Sequence, residues 1–147
     1  MHKGLNVIFI CFCTLCLLST QAQAEYQTWV RVIQAGKGPA HVDPGIQSVV
    51  KEIAPVFKYT RYKILKEKRM TLSKGQEGHL SLPGKRSLVI VPQGMQKNRI
   101  RYNIRIIAKG KPIFKTGVML KNKNSVTIGG PRMPKGMLLI NIQGKRK

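Results

Sequence analysis

Asn98 to Ala108 reads NRIRYNIRIIA. Ile100, Tyr102, Ile104 and Ile106 alternate there with Arg99, Arg101, Asn103 and Arg105. A period of two turns one face of a β-strand to a core and the other to water. A helix would scatter the same arginines around its circumference. The stretch therefore predicts a strand in a half-buried antiparallel sheet, with its guanidinium groups side by side on the wet face. It sets the fold class and the dominant surface property together.

Outward from this strand, the same signals recur. Ser87 to Val91 (SLVIV) precedes it, and Pro92 is expected to end that run because proline has no backbone donor. Lys109-Gly110 turns the chain into Pro112 to Leu120 (PIFKTGVML), and Asn122-Lys123-Asn124 turns it again into Ser125 to Ile128. Gly129-Gly130-Pro131 is expected to break the chain, Gly136 to Ile142 (GMLLINI) to form the closing strand, and Gly144 to Lys147 to fray as a basic tail. Upstream, Tyr59 to Lys66, Arg69 to Ser73 and His79 to Leu82 read as strands, with Pro83-Gly84 as a type II turn. In Glu25 to Gln34, Trp29, Arg31 and Ile33 share one face while Thr28, Val30 and Val32 share the other. Valine on both faces predicts a strand covered on each side.

One helix is expected. Asp43 suits an N-cap and Pro44 a first helical position. Ile46, Val49, Val50, Ile53 and Phe57 then fall on one stripe. The predicted span is Pro44 to Ala54, with Pro55 forcing an irregular last turn to Phe57. The fold class is α+β, mostly antiparallel β: a sandwich-like or curled sheet of about eight strands closed by one amphipathic helix.

The first residues follow another logic. Met1-His2-Lys3 is basic, Gly4 to Leu18 is apolar, and Ala22-Gln23-Ala24 is a small-x-small cleavage site. That is the layout of a secretory signal peptide over residues 1–24, leaving residues 25–147 as a single basic domain with no membrane span. All three cysteines, Cys11, Cys13 and Cys16, belong to the leader. The exported domain is therefore expected to lack disulfides, thiolate metal sites and cysteine nucleophiles.

Charge is the outlying property: 27 Lys and Arg against five acids, for a formal net charge of +22. Such a field attracts polyanions over a Debye length. Catalytic chemistry finds little support. His41 and His79 have no second ligand at metal spacing, Asp43 and Glu52 have roles in the helix, and no serine sits in a nucleophile elbow. The reading is of a non-enzyme without metal or cofactor. Its candidate anion- or partner-binding residues are Arg99, Arg101 and Arg105 on the strand above, and the cluster Lys66, Lys68 and Arg69. Lys145 to Lys147 form a third basic group. Tyr102 points away from the arginines, which argues against base stacking and leaves phosphate contact open.

Ser125 to Gly130 (SVTIGG), followed by a turn and the apolar strand Gly136 to Ile142, resembles phrases in the secretin-type outer-membrane components of bacterial export systems. With its one helix and β-meander, the chain is also similar to short exported β-rich bacterial envelope proteins. The resemblance implies a place in the envelope and brings no catalytic residues. The sequence thus points to a periplasmic or envelope-associated accessory protein. It would dock on an anionic envelope component, a membrane surface met peripherally, or an acidic subunit of a secretion or pilus assembly. The alternative is a nucleic-acid (DNA) binding protein outside the cytoplasm.

Overall fold

The computed structural model describes residues 21–147. The cysteines and most of the expected leader lie outside the described residues. The elements are β1 (Glu25–Gly36), β2 (His41–Val42), α1 (Gln47–Phe57), β3 (Arg61–Ser73), β4 (Gly78–Leu82), β5 (Arg86–Gln96), β6 (Arg99–Ala108), β7 (Lys111–Lys121), β8 (Ser125–Met133) and β9 (Gly136–Arg146). They form two sheets: five strands in the order β2-β3-β1-β9-β8, and four in the order β4-β5-β6-β7. Every pairing is antiparallel except the short β2–β3 contact.

The sheets pack face to face, so alternating side chains from both meet between them. Val30, Val32, Ile140 and Ile142 from the larger sheet pack with Leu88, Ile90, Ile100, Ile104 and Ile106 from the smaller. The alternation in Asn98 to Ala108 is realised in β6, whose Ile100, Tyr102, Ile104 and Ile106 are fully buried. Tyr102 also ties the sheets together, its hydroxyl lying 2.9 Å from that of Thr28 on β1. Burial raises the pKa of this phenol, and the Thr28 contact only partly opposes the shift.

β1 lies between β3 and β9, and it is covered on both sides over its second half. There the helix closes the outer face: Val49, Val50 and Ile53 pack on Ile33, Ala35, Tyr62 and Leu139. The outer face over Gln27 to Arg31 lacks this apolar cover.

Three local expectations are corrected. The helix starts at Gln47 with Ile46 at its N-cap, not at Asp43-Pro44. Gly45 adopts φ 88° and turns the chain first, while the Asp43 carboxylate serves elsewhere. Pro92 and Gly129-Gly130-Pro131 do not end their strands: β5 runs through a register shift between Pro92 and Gly94, and β8 through one between Gly129 and Arg132. Gln93 is the residue skipped in β5, and Pro92 stays opposite Tyr102 beyond the end of the β4 pairing at Ile90. Pro131 lies in the bulge of an edge strand, so a missing donor is tolerated at both prolines. Finally, the basic tail is paired. β9 extends to Arg146, and Lys147 N–H donates to the Glu25 carbonyl at 3.0 Å.

Candidate anion-binding surfaces

β6 presents Arg99, Arg101, Asn103 and Arg105 on the outer face of the four-stranded sheet, as the alternation predicts. Their surroundings differ. Arg105 is held by the Glu77 carboxylate, whose other oxygen lies 3.2 Å from His79 Nε2. It borders a shallow cavity of about 470 Å³ together with Asn103 and Lys115. Arg101 donates to Gln96 Oε1 at 2.9 Å and stays exposed. Arg99 is exposed directly across from Lys121 on β7.

Backbone contacts join this end of β6 to the chain terminus. Lys97 and Asn98 both take positive φ, 48° and 59°, the geometry of a tight two-residue hairpin. The Asn98 carbonyl accepts from Asn122 N–H at 3.1 Å, Lys123 N–H donates to the Gly144 carbonyl at 2.8 Å, and Arg146 N–H donates to Asn122 Oδ1 at 2.9 Å. Lys97, Arg99, Lys121, Lys123 and Lys145 to Lys147 therefore share one end of the sandwich. At that end Glu25 engages Lys147 at 3.0 Å.

The cluster Lys66, Lys68 and Arg69 is divided. One strand runs from Arg61 to Ser73 with a register shift at Leu65, so alternation turns Arg69 away from both lysines. Lys66 donates to the Ser81 hydroxyl and Lys68 to the His79 carbonyl at 2.8 Å. These bonds bridge β3, over the part that the short β2 does not flank, to the edge strand β4, and charge at such edges discourages further strand pairing. Arg69 instead lies over the Trp29 ring on the opposite face, 4.2 Å from its centroid.

Trp29 is a site residue that the charge pattern of the sequence does not mark. Arg31 also lies over its ring, at 4.1 Å, and its indole N–H donates to Glu67 Oε2 at 3.2 Å. Arg31 is buried, with Nη1 donating to the Gly45 carbonyl at 3.0 Å and Nε unpartnered. Burial lowers its pKa, Glu67 opposes the shift, and Arg69 adds to it. The available signal was Trp29-Val30-Arg31, which sets an aromatic and a cation two apart on one strand face.

Among the described residues, four contacts join a basic to an acidic side chain, and two of them involve histidine. Arg105 and Lys147 are thus the Lys and Arg side chains there within ion-pair distance of a carboxylate. No helix among the described residues is long and apolar enough to cross a membrane. Comparison with family models, curated proteins and solved structures finds no match.

Proposed function

We propose that this is an exported, non-enzymatic accessory protein of the cell envelope that docks on an anionic surface or an acidic partner. It would use Arg99, Arg101 and the basic residues at their end of the sandwich. The observation carrying this reading is the pairing pattern: among the described residues, carboxylates take up only Arg105 and Lys147. Cations left uncompensated at a hydrogen-bonded end attract any extended anion. A lipid surface carrying negative charge is one such partner, worth about 1 kcal/mol for each Lys or Arg brought near it.

The test is co-sedimentation of the exported form, beginning at Glu25, with vesicles of anionic and of zwitterionic lipid at equal salt. Binding to the anionic vesicles alone supports the reading. Absence of binding to those vesicles, to an acidic polysaccharide and to acidic envelope proteins overturns it. Tighter binding to duplex DNA than to all of these favours the extracytoplasmic nucleic-acid alternative.

A further inference from the structure

The outer face of the five-stranded sheet carries a second feature that the arginine strand does not explain. Below the helix, two successive cross-strand rows are polar: Arg69–Trp29–Gln143, and then Thr71–Gln27–Lys145. Neighbouring strands lie about 4.8 Å apart and successive same-face residues roughly 6.6 Å apart, so these six side chains share one small patch. They line a shallow open cavity of about 380 Å³, at the lower end of the roughly 300–1,000 Å³ typical of small-ligand sites.

The chemistry of the lining is selective. Its six outward side chains are two cations, two amides, one hydroxyl and the indole; the other two lining residues, Thr28 and Met70, turn to the core side, and none of the eight is a carboxylate. Glu67 stands opposite Arg31, on the helix side of Trp29, and its bond to the indole N–H anchors the ring from that side. A cationic ligand therefore finds no counter-charge in the cavity. A nucleobase finds the indole occupied, because the guanidinium carbons of Arg31 and Arg69 lie 4.1 and 4.2 Å from its centroid, and stacking needs a free π-face. Amides and a hydroxyl match ligand hydroxyls, which donate and accept alike. Arg69 and Lys145 match an oxyanion between them.

We propose that this cavity binds a sugar ring bearing an oxyanion, a uronate unit of an acidic polysaccharide. Arg69 and Lys145 take the carboxylate, Gln27, Gln143 and Thr71 take ring hydroxyls, and the Trp29 edge forms the wall. The site lies on the other sheet from Arg99 and Arg101 and does not depend on those two arginines; Lys145 is the one residue it shares with the basic end.

Trp29 is the single tryptophan of the chain, so its fluorescence reports this cavity alone. The experiment titrates the exported form with galacturonate oligosaccharide, neutral galactose oligosaccharide, inorganic phosphate and single-stranded DNA. A saturable Trp29 response to the galacturonate oligosaccharide, at least tenfold tighter than to the neutral sugar, is the expected result. Arg69→Gln and Lys145→Gln should each weaken it about tenfold. Gln143→Ala should weaken the acidic sugar while leaving any phosphate response unchanged. Far-UV circular dichroism checks that these exposed-face variants fold. Equal affinity for the neutral sugar, equal affinity for phosphate, a tighter Trp29 response to DNA, or no response at all would each overturn the site. Protein that binds anionic vesicles but gives no Trp29 response loses this site alone. Protein that responds to the galacturonate oligosaccharide but binds neither anionic vesicles nor acidic envelope proteins keeps this site and loses docking through the Arg99 and Arg101 end.

Discussion

Asp43 shows how one side chain can be read correctly for chemistry and wrongly for place. Its carboxylate suits capping, yet it lies 2.7 Å from His41 Nε2 and accepts from Ile64 N–H at 2.8 Å, pinning the loop before the helix to β3. The His41 bond first, and the Ile64 bond second, hold its pKa below the usual carboxylate value. A carboxyl that ionises more readily in the folded state stabilises the fold above about pH 4, where the unfolded group is already ionised. That contribution is lost as pH falls through the folded pKa. Asp43→Asn should therefore melt below the parent at neutral pH, and thermal melts at successively lower pH should show the gap closing. Gly144 is set by a close approach: a Cβ there would fall 2.6 Å from the Tyr102 hydroxyl. Gly144→Ala should cost roughly 1–3 kcal/mol, as overpacking does. Chemical denaturation should show Tyr102→Phe recovering part of that loss in the double variant, since it removes the nearest atom. If the two substitutions simply add, the contact is not the cause.

At the scale of elements, β6 is the strand most exposed to test. Ile104 is fully buried while Arg101 is exposed. Ile104→Asp should cost several kcal/mol, a large part of an ordinary domain's stability, and Arg101→Ser well under ~1 kcal/mol. Equal melting temperatures would contradict the facing of the strand. β6 was legible because strict alternation is a local property of the chain. The apolar stripe of α1 was legible for the same reason, and Val49, Val50 and Ile53 are buried as the spacing implies. Pro92 and Pro131 misled because whether a missing donor breaks a ladder depends on which side a neighbouring strand lies, and the neighbour is not written in the local sequence. The same holds for the candidate site. That Arg99, Arg101 and Arg105 share a face follows from parity, but Arg105's capture by Glu77 depends on how the β3–β4 loop falls. Arg69 meets Trp29 only because β1 and β3 pair in one particular register.

At the scale of the molecule, one side of the sandwich is closed by lysines from β3 reaching β4, while basic residues gather at the end where β6 begins and β9 finishes. Loss of charge at this end should therefore have a graded effect on binding. Arg105 is already compensated, so Arg105→Ser should weaken binding to anionic vesicles less than Arg99→Ser does, as read from parallel titrations. The central claim is that the Arg99, Arg101 and Lys121 end does the docking. The measurement that tests it most directly is vesicle affinity across a series of salt concentrations, for the parent and for the Arg99→Ser, Arg101→Ser, Lys121→Ser triple variant. At about 1 kcal/mol per basic residue at an anionic surface, the variant should bind roughly 100-fold more weakly at low salt, with a flatter dependence of log affinity on log salt. A variant whose affinity and salt slope match the parent's would contradict the account.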